Sequence, residues 1–305
     1  MQRRGTPSAF VISVTPFDES GGVDWEGTRA HWRRLKESGI GVYVGGGGSG
    51  EGHALVEDEV ERLLALAVEE LVGSVPTRAM GVEPRTARQM IEFAKKVKGV
   101  GLDAMQIYCL DMGHLGIPRP QEQERYFREV LETVDVPSVI STHFSVGYMV
   151  PVDLLSALCT DYPHVIGINC SIGQDFTYLV RVLDEVPAHV EVHVGGPMHT
   201  LSALAMGGTG FLSSEANLVP QLANNVVNLY GAGDYEGAAD AYSKVLRVFT
   251  LLSSRVSTKA LLKALGLPGG DPRLPRMLLT TDDDATAGLQ KLREIGIPEL
   301  DGLLR

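Results

Sequence analysis

Several residues capable of acid–base chemistry, or of hydrogen bonding to a charged intermediate, follow or close short apolar runs of this sequence. Ser141, Thr142 and His143 stand together after one run, and Asn169 lies near the end of the next. Histidine titrates near neutral pH and can act as a general acid or base. Serine and asparagine can donate hydrogen bonds to a developing oxyanion. These residues therefore indicate proton transfer on a small polar substrate, provided that the fold brings them together.

A glycine-rich run at residues 45–51 carries one hydroxyl, that of Ser49, and ends in Glu51. Bare backbone allows a ligand to approach closely, and its N–H groups can hold a carboxylate or phosphate in front of the next helix. No Lys-Ser or Lys-Thr pair follows, which excludes a nucleotide-binding P-loop. A tight turn without a ligand is the simpler explanation of such a run.

The elements that would position these residues alternate in type along the chain. Apolar residues at three- and four-residue spacing predict helices such as those at 25–38, 56–71, 87–97, 121–134 and 176–185. Between them, β-branched runs predict eight strands, at 10–14, 41–44, 77–81, 104–109, 138–142, 165–170, 190–194 and 209–212. Strict alternation predicts parallel pairing, and eight such units predict an α/β protein built as a (β/α)8 TIM barrel.

After Pro220 the strand patterns end, and helices are predicted at 221–230, 235–252, 258–265 and 283–295. We therefore predict a barrel domain at residues 1–229 and a C-terminal helical extension at residues 230–305.

In a parallel barrel the reactive groups lie at the carboxyl ends of the strands and in the loops that follow. These positions form the predicted mouth, which is polar and mostly uncharged. It comprises Thr15, residues 45–51, Cys109, Asp111, His114, residues 141–143, residues 169–171, Gly195, Gly196, His199, residues 213–215 and Asn217.

Lysine, whose amine can condense with a ketone, is absent between Lys98 and Lys244. The lysines of the chain each fall in a predicted helix or at a helix end. We therefore expect no lysine to point into the mouth and no substrate imine to form.

Possible metal ligands near the strand ends come from different loops and show neither H-x-H nor HExxH spacing. We predict no metal and no cofactor, and keep metal-assisted chemistry as an alternative. Strand alternation turns Cys170 away from Asn169 toward the helices and leaves the direction of His193 open.

The charge balance limits the partners. A formal net charge of −11 and a pI near 5.2 argue against nucleic acid and membrane surfaces as partners. No uncharged apolar run approaches the roughly 20 residues of a membrane span, and no signal-peptide pattern precedes the first strand. The three cysteines form no CxxC pair. We expect a cytoplasmic protein.

Motifs over nearly the whole chain follow the order found in one enzyme family. They are Thr15-Pro16-Phe17, Val23-Asp24, Gly47-Gly48-Ser49-Gly50-Glu51 with Leu55 and Glu59, Gly81-Val82, Val165-Ile166-Gly167-Ile168, Gly207 to Gly210, Ala216-Asn217 with Pro220, and Lys259-Ala260-Leu261 with Gly266. The chain resembles the dihydrodipicolinate synthase / N-acetylneuraminate lyase family. The resemblance implies a barrel with a C-terminal helical domain, a homotetramer or homodimer, and action on pyruvate or other 2-oxo acids without a metal or cofactor.

The same resemblance exposes departures at the reactive positions. The family closes its sixth strand with the lysine that forms the imine, and this sequence has Asn169 there. The family's Tyr-Asn pair at the end of the fifth strand reads Ser141-Thr142. Its Gly-Thr-Thr-Gly-Glu motif reads Gly47-Gly48-Ser49-Gly50-Glu51, which keeps one hydroxyl. The family's covalent machinery is therefore replaced or lost.

We predict a divergent lyase that acts on a small 2-oxo acid or related carboxylate without a Schiff base. The hypothesis assigns acid–base catalysis to His143, carboxylate binding to Ser49, a proton relay to Ser141 and oxyanion stabilisation to Asn169. Two alternatives stay open, a catalytically silent ligand-binding or regulatory homologue and a metal-assisted aldolase or hydratase. The remaining substrate-binding candidates are Thr15, Gly47, Gly48, Glu51 and Asn217.

Overall fold

Eight parallel strands form the centre of the structure, a computed structural model that describes residues 4–143, 146–172, 175–253 and 256–304. The strands are hydrogen-bonded in chain order as a closed barrel. They are β1 Ser8–Ile12, β2 Gly41–Val44, β3 Thr77–Ala79, β4 Ala104–Ile107, β5 Ser138–Ser141, β6 Val165–Cys170, β7 Glu191–Gly195 and β8 Gly210–Ser213. All eight predicted strands are confirmed, with ends that differ by up to two residues.

In the part of the chain that the structure describes, a helix follows each strand, and three more helices come after the barrel. The helices after the strands are α1 Trp25–Glu37, α2 Glu57–Glu70, α3 Ala87–Val100, α4 Pro120–Thr133, α5 Val152–Asp161, α6 Phe176–Glu185, α7 Thr200–Ala205 and α8 Pro220–Ala232. The C-terminal helices are α9 Tyr235–Leu252, α10 Thr258–Ala264 and α11 Asp282–Ile295. The fold is a (β/α)8 barrel with a C-terminal helical extension, as predicted.

Local sequence explains where these elements begin. All four residues of β2 are buried, as expected for a parallel strand that is covered on both faces. Polar caps start several helices: the Asp24 carboxylate accepts the backbone N–H of Gly27 at the start of α1, and Ser257 accepts that of Ala260 at the start of α10. Such caps satisfy N–H groups that have no partner within the helix.

The chain divides into two compact units. We call Arg78–Leu212, with the residues up to Pro7, the central unit, and Ser8–Thr77 with Ser213–Arg305 the terminal unit. The domain boundary predicted between residues 229 and 230 falls inside α8, and that division stays a prediction. In the described part of the chain, every helix is too short or too polar to span a bilayer.

Candidate functional site

The glycine-rich loop of the terminal unit is a tight turn. A Cβ atom added at Gly50 would lie 2.8 Å from the Gly46 carbonyl oxygen, so only glycine fits there. The backbone N–H of Glu51 donates to the Gly48 carbonyl at 3.1 Å. Gly52 donates in the same way to Gly46 at 2.9 Å. The turn therefore uses the N–H group of Glu51, which the sequence offered for an anion, and that of the following Gly52.

Glu51 anchors the end of this loop. Its backbone has a φ of 51°, in the left-handed region, and the residue is 1% exposed. The carboxylate pairs with Lys259 Nζ at 2.7 Å and accepts the backbone N–H of Arg273 at 3.1 Å. A charge this deeply buried requires such partners, so Glu51 holds the loop against the C-terminal segment.

Lys259 corrects one sequence-based expectation, that no lysine points toward the mouth. Its Nζ lies 2.7 Å from the carbonyl oxygen of Thr15, a predicted mouth residue, and 3.0 Å from that of Asp271. With Glu51 these acceptors occupy the three N–H donors of an ammonium. Burial lowers the pKa of Lys259, while the Glu51 carboxylate opposes that shift. The geometry is that of a structural ion pair.

Two serine hydroxyls meet at the end of β8. Ser49 Oγ donates to Ser214 Oγ at 2.5 Å, and Thr15 Oγ1 donates to the Gly50 carbonyl at 2.7 Å. Beside them Glu215 is 7% exposed and accepts a hydrogen bond from Ser213 Oγ. Burial raises the pKa of Glu215, and the Ser213 hydroxyl only partly offsets that effect. Burial thus favours the neutral acid at the end of β8.

Ser49, Ser214 and Glu215 line a cavity of about 1020 Å³ within the terminal unit. Its polar side carries Ser49, Ser214 and Glu215 together with the Glu51–Lys259 pair. Its other side is formed by residues near the end of α9 and by the segment at 272–280, which includes Arg276. Sequence reasoning placed Glu215 in the mouth without assigning it a role. It missed Arg276, because no spacing pattern links a residue beyond α10 to the strand ends.

Asn217 is fully buried, and its amide is occupied by the protein. Its Oδ1 accepts from the backbone N–H of Val14 at 3.0 Å and lies 2.9 Å from His31 Nε2. Its Nδ2 donates to the carbonyls of Ile12 and Ser214. These bonds tie β1 to the turn after β8, so Asn217 positions the site, and its predicted contact with substrate stays a prediction.

In the central unit, Asn169 and Gln106 form a buried amide pair. Asn169 Nδ2 donates to Gln106 Oε1 at 2.5 Å, and the residues are 4% and 2% exposed. Asn169 follows strand alternation in facing away from Cys170, whose buried thiol lies near Tyr178 of α6. Asn169 therefore points into the barrel, where the resemblance places a lysine amine.

Ser141 is the neighbour of Asn169 in the register between β5 and β6. Paired residues of adjacent strands share a face of the sheet, so Ser141 and Asn169 face the barrel interior together. Ser141 Oγ accepts the backbone N–H of His143 at 3.3 Å, and the His143 side chain is exposed. Three of the four predicted catalytic residues thus stand at the ends of β5 and β6. Ser49, the fourth, belongs to the terminal unit.

A second buried polar group lies in the barrel interior. His193 pairs with Asn169 in register and therefore shares its face. Its Nδ1 lies 4.0 Å from Glu191 Oε2, and Glu191 pairs with Arg78 at 2.7 Å. Burial lowers the pKa of His193 to about 4, with Arg78 acting in the same direction and Glu191 against it. His193 is therefore neutral at physiological pH and faces the lumen, which the sequence left open.

Potential metal ligands are dispersed. Within the described ranges, no three histidine, cysteine, aspartate or glutamate side chains are grouped closely enough to hold a metal ion. Cys109, Cys159 and Cys170 are free and buried, and burial raises the pKa of each thiol to about 12. The arrangement offers hydroxyl, amide and carboxylic acid groups as its means of binding and catalysis.

Comparison with known proteins identifies the family. The model of the dihydrodipicolinate synthetase family matches residues 7–292, and the chain belongs to this family of lyases. A 4-hydroxy-tetrahydrodipicolinate synthase of Methanopyrus kandleri is 26% identical over 289 residues, which cover 93% of this chain and 94% of the relative. The 4-hydroxy-tetrahydrodipicolinate synthase 1 of Halalkalibacterium halodurans is 28% identical over 280 residues, 88% of this chain and 91% of its own.

Solved structures show the same fold. The 4-hydroxy-tetrahydrodipicolinate synthase of Methylacidiphilum fumariolicum SolV superposes with a TM-score of 0.87 at 20% identity, over 98% of this chain and 99% of the other. A prophage protein of the family from E. coli K12, solved in complex with pyruvate, gives a TM-score of 0.86 at 22% identity, over 95% and 99% of the two chains. At this identity the likeness concerns the fold alone.

Proposed function

We propose that this protein is a lyase of the dihydrodipicolinate synthetase family that acts on a small 2-oxo acid or related carboxylate without forming a lysine imine. The Asn169–Gln106 pair carries this proposal. Asn169 points into the barrel, where the resemblance places the family's lysine, and its amide nitrogen donates to Gln106. A carboxamide nitrogen is not a nucleophile toward a ketone, so bond cleavage there needs another electron sink.

Hydrogen-bond donors can supply that sink. An enolate oxygen can be stabilised by the Asn169 amide and the Ser141 hydroxyl at the ends of β6 and β5, at about 3 kcal/mol for each preorganised donor. His143, exposed beside Ser141, is the proposed acid–base group. Ser49 is the proposed contact to the substrate carboxylate, with Thr15, Gly47, Gly48 and Glu51 shaping its loop. Support for a 2-oxo acid comes from the relatives' names and from the pyruvate bound to the fold neighbour.

Lys259 is the amine that a covalent mechanism would have to use instead. Its three acceptors favour the ammonium form, which has no lone pair for attack on a ketone. Release of that amine would leave the buried carboxylate of Glu51 without its counter-ion, which is costly. Lys259 is therefore assigned a structural part in the proposal.

Borohydride trapping with pyruvate tests the absence of an imine. We expect no covalent adduct by mass spectrometry on the wild-type protein. An imine-forming member of the family provides the positive control. The Asn169→Lys variant places an amine where Gln106 Oε1 can accept one of its protons, and it should gain a borohydride-dependent adduct on residue 169. A wild-type adduct, mapped by peptide analysis to Lys259 or to any other lysine, would contradict the proposal.

Proton exchange separates catalysis from silent binding. A protein that stabilises an enolate should exchange the C3 protons of a bound 2-oxo acid in D2O, which NMR detects. We expect Asn169→Leu to slow this exchange by about a hundredfold or more, as for other oxyanion donors. Binding of the acid without exchange by the wild-type protein would favour the ligand-binding homologue instead.

A further inference from the structure

The cavity of the terminal unit is much larger than a three-carbon acid requires. Its volume is about 1020 Å³, at the upper end of the roughly 300–1000 Å³ that holds drug-sized ligands. Pyruvate would occupy only a small part of that space beside Ser49 and Ser214. The remaining walls must therefore contact solvent or a further part of the ligand.

One of the ionisable side chains of the cavity has no ion-pair partner among the described residues. Glu51 and Lys259 neutralise each other at 2.7 Å, and burial favours the neutral acid of Glu215. Arg276 also lines the cavity, and among the described residues its side chain makes no ion pair or hydrogen bond. An unpaired guanidinium beside a cavity is suited to a carboxylate, which it can bind through two parallel hydrogen bonds.

The wall next to Arg276 is apolar. Met277, Leu278 and Leu279 follow it directly, and the end of α9 contributes Leu252. Met277 is 65% exposed and Leu279 is 81% exposed, although both side chains are apolar. Binding an apolar ligand group over these side chains is favourable, because the contact removes apolar surface from water.

We propose that this cavity binds a 2-oxo acid or related carboxylate with an extended alkyl or aromatic substituent, with Arg276 joining Ser49 in binding the acid group and with Met277 and Leu279 covering the substituent. The inference rests on the proposed function for the nature of the acid, and it names the class of acid. Selectivity arises from two separate contacts. The charge pair selects an acid over a neutral ester, and each methylene buried on the wall raises affinity by up to about fourfold.

Calorimetric titration tests both contacts with four probes: pyruvate, 2-oxohexanoate, phenylpyruvate and the methyl ester of phenylpyruvate. We expect 2-oxohexanoate and phenylpyruvate to bind the wild-type protein more tightly than pyruvate, and the ester to bind more weakly than its acid. Arg276→Gln should weaken binding of the acids about tenfold without weakening that of the ester. Arg276→Lys should retain part of the affinity. Met277→Gln should reduce the difference in affinity between 2-oxohexanoate and pyruvate.

Arg125→Gln is the matched control, because Arg125 is exposed on α4 outside the cavity and its loss should change no affinity. Equal affinity for all three acids, no binding by any of them, or equal behaviour of Arg276→Gln and Arg125→Gln would overturn the inference. Binding is measured without turnover or trapping. An imine trapped on the wild-type protein would therefore contradict the proposed function. It would leave this comparison of binding affinities unaffected.

Discussion

The surroundings of Glu215 favour the protonated form of its side chain. It is almost fully buried at the end of β8, and burial raises its pKa above the usual range for glutamate. The groups that act against this shift are the Ser213 hydroxyl and nearby backbone N–H groups. A neutral acid that lines a cavity can donate a proton or a hydrogen bond to a ligand, as the sequence-based assignment of roles did not foresee.

The raised pKa of Glu215 predicts a dependence of stability on pH. Because the folded state holds this proton more tightly than the unfolded state, the free energy of unfolding falls as pH rises through the folded pKa. The Glu215→Gln variant has no acid to ionise at this position, so its free energy of unfolding does not fall for this reason as the pH rises. We expect its melting temperature to exceed that of the wild-type protein at about pH 8, and the difference to shrink as the pH falls below about 4, where the wild-type acid becomes protonated in both states.

Glu236→Gln serves as the control for this comparison, since Glu236 is exposed on α9. Thermal scans of the three proteins across the pH range measure the effect. If Glu215→Gln follows the control at every pH, the assignment of a neutral acid to Glu215 is wrong.

At the scale of elements, α10 and the segment after it hold the glycine-rich loop in place. Lys259 of α10 pairs with Glu51, and the Arg273 guanidinium binds both carboxylate oxygens of Glu59 at 2.6 Å. Arg273 Nη1 also donates to the Ala54 carbonyl at 2.7 Å. These contacts join the loop after β2 to residues about two hundred positions later. The shape of the loop therefore depends on the C-terminal extension.

Replacing Lys259 should lower the free energy of unfolding far more than replacing Lys263 on the same helix. Lys259→Met leaves the Glu51 carboxylate, which is 1% exposed, without its counter-ion, and we expect a loss of about 3–5 kcal/mol in the free energy of unfolding. Lys263→Met removes an exposed pair with Asp271 and should cost about 1 kcal/mol or less. Urea denaturation measures both values.

The double variant Glu51→Gln with Lys259→Met removes both charges of the pair. It should recover part of the stability that Lys259→Met loses, because no uncompensated charge remains. Similar losses for Lys259→Met and Lys263→Met would show that the Glu51–Lys259 pair is not the anchor of the loop.

The strands and helices followed from the sequence because their patterns are local. β-branched runs separated by amphipathic segments gave all eight strands and the described helices other than α5 and α7, with helix bounds that differ by up to three residues. The positions of Asn169 and Ser141 at the strand ends also followed, because parallel strands present their carboxyl ends together. The cavity could not be predicted from the sequence. Its walls depend on Lys259 and Arg276, whose approach to the loop is set by tertiary packing rather than by spacing.

At the scale of the whole molecule, each unit encloses a buried neutral histidine. His31 of the terminal unit lies against Asn217, and burial lowers its pKa to about 4, with Arg34 and Lys259 adding to the effect. His193 of the central unit also has a pKa lowered to about 4 by burial, with Arg78 and Glu191 as its charged neighbours. Both rings must gain a proton when the chain unfolds at mildly acidic pH.

Acid should therefore destabilise the protein well above the pKa of ordinary carboxylates. The unfolded histidines bind protons below about pH 6.5, whereas the folded ones do so only near pH 4, so the free energy of unfolding falls as pH drops through this window. Each histidine contributes up to about 3 kcal/mol at the lower end.

The slope of unfolding free energy against pH should correspond to the uptake of up to about two protons. His193→Gln should remove about one of them, whereas His114→Gln, at an exposed position, should leave the slope unchanged. Equal slopes for the wild-type protein and His193→Gln between about pH 6 and pH 5 would mean that the His193 ring is already charged in the folded protein.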